Sequence, residues 1–272
     1  ITTGKTWFKV APTVRYDFHG KLKPGVSAKD VFLHLAGTYG HHTNQNVEFG
    51  GPALASLSIN ARRTLATMGA ELSAEFATFE PDQILLDYVR ERNKAPFEEQ
   101  YPDTDASYAD RRRVDLDKLE ALVALPDSVI KNSVPVGEGE KEKIAQAFIG
   151  SCANGTLDDL AEAARVVKGK KVAPGVRFLV TPGTQETFMA ALKAGYIQTL
   201  MEAGAVVTPA TCGACFGGHM GVLGPNEVCV TASTRNFKGR MGDPSARIFM
   251  ASPATVAASA IAGHLIHADE IA

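Results

Sequence analysis

The chain has 272 residues, of which 45% are hydrophobic and 21% are charged, which is ordinary for a globular protein of one large or two medium-sized domains. Its formal net charge of -2 creates no global attraction to nucleic acid or to an anionic membrane, and no apolar run reaches membrane-spanning length. Four unevenly spaced cysteines and a start without a charged-then-apolar leader predict a cytoplasmic protein with reduced thiols.

The first half of the chain predicts both strands and helices. Apolar residues at Val14, Tyr16 and Phe18 alternate with polar ones, which is typical of a strand with one buried face. Ser27 is a typical N-cap for a helix over the residues that follow it. The other predicted elements of this half are a polar loop with a short strand around residue 48, helices over 59–79 and 82–92, and an exposed connection over 94–113.

The second half predicts a parallel α/β domain. Low periodicity and turn residues over 125–143 indicate a boundary, so the predicted domains are 1–125 and 126–272. After the boundary, strand-like and helical runs alternate, which is typical of a parallel sheet. The predicted strands are 145–150, 176–183, 205–210 and 228–232, and the predicted helices are 156–169, 185–204 and 252–265.

Three cysteines lie in loops of the same kind. Cys152 follows one predicted strand, and Cys212 and Cys215 follow another in the stretch TCGACFGG. Ligand sites of parallel sheets gather where strands end, and three thiolates favour a soft metal. The spacing leaves open a zinc site with His219 or Cys229 as fourth ligand, a redox pair, a [4Fe–4S] cluster with one iron lacking a protein ligand, or buried thiols. Cys229, in a strand-like run, is predicted to be a core residue.

Two further features accompany the cysteines. Nearby glycines are expected to let the backbone approach a bulky ligand, and they are Gly150, Gly155, Gly213, Gly217 and Gly218. The stretch STRNFKGRMGDP, the arginine loop (residues 233–244), carries Arg235 and Arg240 after another predicted strand. Two neighbouring arginines suit bidentate binding of carboxylates, although two solvated surface arginines would look the same in sequence.

These stretches resemble motifs of the aconitase superfamily. IGSCANGTLDDL is similar to the family's Ser-Cys-Thr-Asn-Gly motif, TCGACFGG to its Cys-Gly-Pro-Cys motif, and TRNFKGRMG to its Asn-Arg-Asn-Phe-x-Gly-Arg motif, in the same order. GKTWFKV, GKLKPGVSAKDVFLHLAG and VEFGGPALASLSINARRTLATMGAE resemble the large subunits of 3-isopropylmalate dehydratase and homoaconitase. The resemblance covers essentially the whole chain and implies three-layer α/β/α domains with mostly parallel sheets.

The resemblance also implies a site and a reaction. It implies that Cys152, Cys212 and Cys215 hold a [4Fe–4S] cluster, in a hydro-lyase that dehydrates and rehydrates a hydroxy di- or tricarboxylate. Arg235 and Arg240 match its carboxylate-binding arginines. Glu48 matches a glutamate near the reacting hydroxyl or water, whereas without the resemblance it would be an ordinary loop carboxylate. One departure is Thr234, which stands where the family has Asn.

Part of the family's active site lies outside this chain. Family large subunits carry roughly a hundred or more residues before the GKTWFKV segment, and that region supplies His and Asp residues. The catalytic serine lies in a swivelling domain or small subunit, so a small-subunit partner is expected. Homoaconitase, aconitase and dimethylmalate-type dehydratases are alternative activities. The alternatives outside enzymology are an assembly subunit and a cluster-free RNA-binding protein, which the net charge of -2 does not favour.

Overall fold

The structure is a computed structural model that describes residues 2–139 and 141–271. Four parallel strands in the order β3-β2-β1-β4 form the first sheet. They are β1 (Thr13–His19), β2 (Asn46–Gly50), β3 (Ala77–Phe79) and β4 (Asp110–Asp115), and the helices of this half are α1 (Ala28–Tyr39), α2 (Ile59–Met68) and α3 (Gln83–Arg92).

The local sequence explains the start of this half. Val14, Tyr16 and Phe18 are fully buried on one face of β1, so the predicted strand is confirmed. Ser27 caps α1, because its hydroxyl accepts a hydrogen bond from the Lys29 amide while the Asp30 carboxylate accepts one from the Ser27 amide. This reciprocal pair is a capping box, and the predicted N-cap is confirmed.

The second sheet has seven strands in the order β6-β5-β11-β10-β7-β8-β9. Its strands are β5 (Leu122–Ala124), β6 (Ser133–Pro135), β7 (Gln146–Gly150), β8 (Arg177–Thr181), β9 (Val206–Val207), β10 (Val228–Thr231) and β11 (Arg247–Ala251). Strand β5 runs antiparallel to both β6 and β11, and the other pairs are parallel. The helices are α4 (Ser151–Asn154), α5 (Leu157–Val167), α6 (Gln185–Lys193), α7 (Tyr196–Ala203) and α8 (Pro253–Ala262). The predicted mostly parallel α/β architecture is confirmed.

The two sheets meet in a shared apolar layer. The chain leaves the first sheet at Asp115 and enters the second at Leu122, which lies before the predicted boundary at residue 125. Ala124 on β5, Ala153 on α4 and Met250 on β11 belong to the second sheet and its helices, yet their side chains pack into the core of the first sheet. The division into domains 1–125 and 126–272 stays a prediction, and the functional loops described below lie where the two halves touch.

Two predicted helices were wrong in extent. Helix α2 ends at Met68 and is followed by a 3₁₀ turn and β3, because Ser73 adopts a left-handed conformation (φ 58°) and turns the chain. The predicted helix over 185–204 is two helices, since Gly195 (φ 79°) breaks it between α6 and α7. In the part of the chain that the structure describes, no helix combines the length and apolarity needed to cross a membrane.

Candidate functional site

The loops that carry the cysteines pack against the same residue, Thr181 at the end of β8. A Cβ atom added to Gly150, just before the Cys152 turn, would lie 2.4 Å from Thr181 O. A Cβ atom added to Gly213, between Cys212 and Cys215, would lie 2.4 Å from Thr181 Oγ1. Contacts this close are possible only for glycine, so the sequence predicts the loops at one sheet edge and the structure brings them together there.

The Cys152 turn is strained and has unmet hydrogen-bonding capacity. Ser151 is buried in a left-handed conformation (φ 64°), and its hydroxyl has no hydrogen-bond partner among the described residues. Asn154 is also buried, and within the same described ranges its Oδ1 has no partner, although its Nδ2 donates to Asp159. The Cys152 side chain itself is exposed. Strain and unpartnered buried polar atoms concentrate at ligand-binding sites.

The Cys212–Cys215 segment forms a 3₁₀ turn that the arginine loop holds in place. The Cys215 amide donates to Cys212 O at 3.1 Å, which closes the turn. Arg240 Nε donates to Cys215 O at 2.8 Å, and its Nη2 lies 3.6 Å from Cys215 Sγ. Thr234 Oγ1 lies 3.4 Å from the same sulfur. Cys215 is therefore buried and hydrogen-bonded, whereas Cys212 is exposed.

These contacts lower the pKa of the Cys215 thiol. Burial raises the pKa of the Cys215 thiol, but hydrogen bonds from Thr234 and Arg240 outweigh that effect, and the pKa lies below its usual range. Thiolates are the form in which cysteine binds metals, so the arginine loop favours metal binding by this sulfur. Thr234, which stands where the family has Asn, is in hydrogen-bond contact with the cysteine sulfur.

Arg235 lies between the cysteine loops and the first half of the chain. Its Nε pairs with Glu71 Oε1 at 2.6 Å, and this hydrogen bond is the main reason that the pKa of Arg235 is raised. The charges of Cys215 and Cys152 raise it further, which places both sulfurs in the surroundings of this guanidinium. The arginine loop thus contacts the first half of the chain through Arg235 and the Cys215 turn through Arg240.

Sequence reasoning missed two charged residues at this site, Glu71 and Lys29. The predicted helix over 59–79 was too long and included Glu71. In the structure, Glu71 lies in the 3₁₀ turn that follows α2. Lys29, in the first turn of α1, is fully buried and donates to Ser233 O in the arginine loop at 3.0 Å. No pattern in the sequence marks this lysine as buried, because its burial depends on packing between the two halves.

Glu48 has its contacts elsewhere. It lies on β2, where its Oε1 accepts hydrogen bonds from Arg15 Nη1 and, at 2.8 Å, from Tyr108 OH. Within residues 2–139 and 141–271, these are the polar contacts recorded for its carboxylate, and none goes to a cysteine or to the arginine loop. The predicted role of Glu48 near the reacting hydroxyl stays a prediction.

Three cysteine thiols are a donor set that iron–sulfur clusters use. In the described part of the chain, no three His, Cys, Asp or Glu side chains converge closely enough to hold one metal ion, whereas zinc needs its ligands at about 2.0–2.3 Å from one centre. An iron–sulfur cluster is wider, so its thiolates need not meet at one point. The partnerless hydroxyl of Ser151 beside Cys152 and the acidified thiol of Cys215 both fit such a group.

The two alternative fourth ligands differ in their surroundings. His219 Nδ1 lies 3.3 Å from Gly213 O, to which it can donate a hydrogen bond, and such a bond is compatible with metal binding through Nε2. Cys229 is fully buried in β10, and burial raises the pKa of its thiol to about 12. The prediction that Cys229 is a core residue is confirmed.

The glycines near the cysteines serve close packing of the chain on itself. A Cβ at Gly155 would lie 2.6 Å from Gly183 N, and one at Gly217 would lie 2.7 Å from Gly242 N. These glycines therefore admit neighbouring backbone, which differs from the expectation that they leave space for a bulky ligand. By bringing backbone segments together, they fix the positions of the cysteine loops.

A cavity of about 520 Å³ lies elsewhere, between the starts of α1, α2, α5 and α8. Its lining includes Asp158, whose carboxylate accepts hydrogen bonds from Ser58 and Asn60, but it includes none of the cysteines or the loop arginines. Of the three cysteines, Cys152 and Cys212 are exposed and Cys215 is buried.

Comparison with known proteins gives consistent matches over the whole chain. The family model described as "Aconitase family (aconitate hydratase)" matches residues 1–142 and 130–263. The 3-isopropylmalate dehydratase large subunit of Mycolicibacterium smegmatis is 54% identical over 271 residues, which are 100% of this chain and 64% of that protein. A probable methanogen homoaconitase large subunit of Methanothermobacter thermautotrophicus is 43% identical over 97% of this chain and 62% of that protein.

A further relative and one solved structure complete the comparison. A probable 3-isopropylmalate dehydratase large subunit of the same Methanothermobacter is 42% identical over 98% of this chain and 64% of that protein. The crystal structure of Thermococcus kodakaraensis aconitase X is similar at a TM-score of 0.44 and 13% identity, covering 86% of this chain and 53% of that one. The chain thus spans somewhat less than two-thirds of the length of these curated relatives.

Proposed function

The chain belongs to the aconitase family, and from this premise we propose that it is the cluster-binding part of the large subunit of a [4Fe–4S]-dependent hydro-lyase. The proposed reaction is the reversible dehydration of a hydroxy di- or tricarboxylate. The 54% identity to a 3-isopropylmalate dehydratase large subunit favours 3-isopropylmalate as the substrate. The 43% identity to a probable homoaconitase large subunit makes a homoaconitase-type tricarboxylate the second candidate.

One observation carries the proposal: the two cysteine loops pack on Thr181, and the arginine loop is bonded to one of them. In this proposal Cys152, Cys212 and Cys215 hold the cluster as thiolates. When bound, a cluster with one iron lacking a protein ligand supplies a Lewis acid for a substrate oxygen. The hydrogen bonds of Arg240 and Thr234 to Cys215 lower the pKa of that thiol and so favour the thiolate that binds metals.

The arginine loop supplies the charge that a carboxylate substrate needs. Arg235 and Arg240 present guanidinium groups, which bind carboxylates through paired hydrogen bonds. Arg235 Nε donates a hydrogen bond to Glu71, which orients the guanidinium. The two Nη nitrogens of Arg235 do not take part in this bond. Arg240 Nε donates a hydrogen bond to Cys215 O, and this bond orients the guanidinium relative to the Cys215 sulfur.

Two carboxylates compete for a role beside the reacting hydroxyl. The family resemblance assigns it to Glu48, which Arg15 and Tyr108 hold on β2. The contacts in this chain favour Glu71 as the carboxylate next to the arginine loop. We retain Glu48 as the prediction from resemblance and treat the two residues as a pair to be separated by experiment.

The rest of the active site is proposed to come from outside these residues. The relatives are named large subunits, so we propose a small subunit as partner, with the catalytic serine on it. Four free cysteines suit a reducing compartment, and the cytoplasm is the proposed location.

The test is turnover by the full-length protein together with its small subunit. After anaerobic reconstitution, the complex is assayed with 3-isopropylmalate and with hydroxy tricarboxylates of the homoaconitase type. The small subunit alone is assayed with the same substrates as the control. The proposal expects turnover of 3-isopropylmalate by the complex and none by the small subunit. An intact cluster with no turnover of any substrate would contradict it and favour an assembly role.

A further inference from the structure

Lys29 is a buried cation that the proposed reaction does not use. It lies in the first turn of α1 and is fully buried. Burying an ammonium group costs free energy unless hydrogen bonds and nearby charge compensate, so a lysine in such a position calls for a role.

The surroundings of Lys29 show what compensates its burial. Its Nζ donates to Ser233 O at 3.0 Å and lies 3.5 Å from Met68 Sδ and 3.8 Å from Met250 Sδ. In the described part of the chain, no carboxylate forms an ion pair with it within 4.0 Å. The one strong acceptor is therefore the carbonyl of Ser233, because thioether sulfur accepts hydrogen bonds only weakly.

Negative groups face Lys29 at longer range. Burial lowers the pKa of Lys29 to about 8, and the charges of Asp159, Glu71, Cys215 and Asp30 oppose that change. The Lys29 side chain thus extends from α1 to the arginine loop, and the charges that act on it include those of Cys215 and of Glu71, the partner of Arg235.

The acceptor of Lys29 is the first residue of the arginine loop. Ser233 is fully buried, and Thr234 and Arg235 follow it directly. Thr234 contacts Cys215 Sγ, and Arg235 pairs with Glu71. A hydrogen bond that holds the Ser233 carbonyl therefore also restricts the backbone positions of Thr234 and Arg235.

We propose that Lys29 is a positioning residue that holds the arginine loop through Ser233 O and so places Thr234 and Arg235 beside the cysteine loops. A second contact of the same kind supports it, because Thr64 Oγ1 on α2 donates to Ala153 O, next to Cys152, at 2.7 Å. The first half of the chain thus holds a cysteine loop and the arginine loop by their backbone carbonyls.

The test compares Lys29→Met, which removes the donor and suits a pocket that already contains two methionine sulfurs, with Lys29→Gln, whose amide can still donate. Lys118→Met, at an exposed lysine, is the matched control. Hydrogen–deuterium exchange is measured on full-length, cluster-free protein. We expect amides of residues 234–241 to exchange about tenfold faster in Lys29→Met, as for a lost charge-assisted hydrogen bond, while α8 is unchanged. Lys29→Gln should restore part of the protection.

Three results would overturn the proposal. The amides of the arginine loop in Lys29→Met could exchange at the wild-type rate, exchange could accelerate equally in the loop and in α8, or the Met and Gln variants could show the same exchange rates. If Lys29→Met does not fold, the exchange rates of the loop and of α8 are compared between Lys29→Gln and wild type instead, with the same criteria.

A kinetic readout rests on the proposed function. In the complex with the small subunit, Lys29→Met should raise KM for the carboxylate substrate by more than it lowers kcat, and Lys29→Gln should reverse part of this change. Unchanged KM in an active Lys29→Met complex would count against the proposal. An inactive wild-type complex would contradict the proposed function alone, because the exchange experiment needs neither cluster nor turnover.

Discussion

Arg235 and Glu71, which are 164 residues apart in sequence, form an ion pair of 2.6 Å between Nε and Oε1. The arginine follows β10 in the second sheet, and the glutamate lies in the turn after α2 in the first half. The pair shows that the candidate site is built by both halves. It also sets the orientation of a guanidinium that the proposed function uses to bind a carboxylate.

Glu71→Gln and Glu48→Gln separate the two candidate carboxylates. We expect Glu71→Gln to raise KM about tenfold, because Arg235 loses a charge-assisted hydrogen bond that orients it. The main effect expected of Glu48→Gln is a lower free energy of unfolding, since Arg15 is buried and loses a charged partner. Steady-state kinetics and urea unfolding of both variants are the measurements. A larger kinetic defect in Glu48→Gln would favour the assignment from family resemblance and contradict this one.

Gly213→Ala tests the packing of the Cys212–Cys215 turn on Thr181. Gly213 has φ 57°, and an added Cβ would lie 2.4 Å from Thr181 Oγ1, which is itself bonded to Thr208 at 2.8 Å and cannot move freely. Gly169→Ala is the matched control, because Gly169 also has a positive φ (74°) but open space around it. Both variants incur backbone strain, and only Gly213→Ala adds a clash, costing about 1–3 kcal/mol more. Thermal unfolding and iron content after reconstitution measure the difference. Equal effects of the two substitutions would show that Thr181 does not confine the turn.

The burial of Lys29 predicts a pH dependence of stability. Its pKa is lowered from 10.5 to about 8 in the folded protein, so between these values the unfolded chain binds more protons at this residue. The contribution of Lys29 therefore makes the free energy of unfolding rise with pH across that window, by at most about 3 kcal/mol. In urea unfolding at a series of pH values, wild type should gain stability relative to Lys29→Met over this range. A constant difference between the two proteins would mean that Lys29 keeps an ordinary pKa.

Local patterns predicted the elements that local chemistry determines. Ser27 marked the start of α1, and the alternation of Val14, Tyr16 and Phe18 marked β1, because capping and one-sided burial leave traces in neighbouring residues. The ends of α2 and α6 were missed because single residues in left-handed conformations, Ser73 and Gly195, set them.

The candidate site was predictable only in part, because some of its residues carry no local sequence signal. Residue type and position after predicted strands pointed to Cys152, Cys212 and the two arginines. Lys29 and Glu71 did not, since each acquires its role only when the first half packs on the arginine loop. A lysine in the first turn of an amphipathic helix is usually solvated, and no local pattern distinguishes the exception.

The proposed function requires that Cys152, Cys212 and Cys215 together hold one [4Fe–4S] cluster. The most direct measurement is the iron and acid-labile sulfide content of the full-length protein after anaerobic reconstitution, for serine variants at each of these cysteines and for Cys229→Ala as control. We predict four irons and four sulfides per wild-type chain, retention in Cys229→Ala, and loss of the cluster in each of the three serine variants. Unchanged iron and sulfide in any of the three serine variants would show that the substituted cysteine is not a cluster ligand and that the proposed ligand set is wrong.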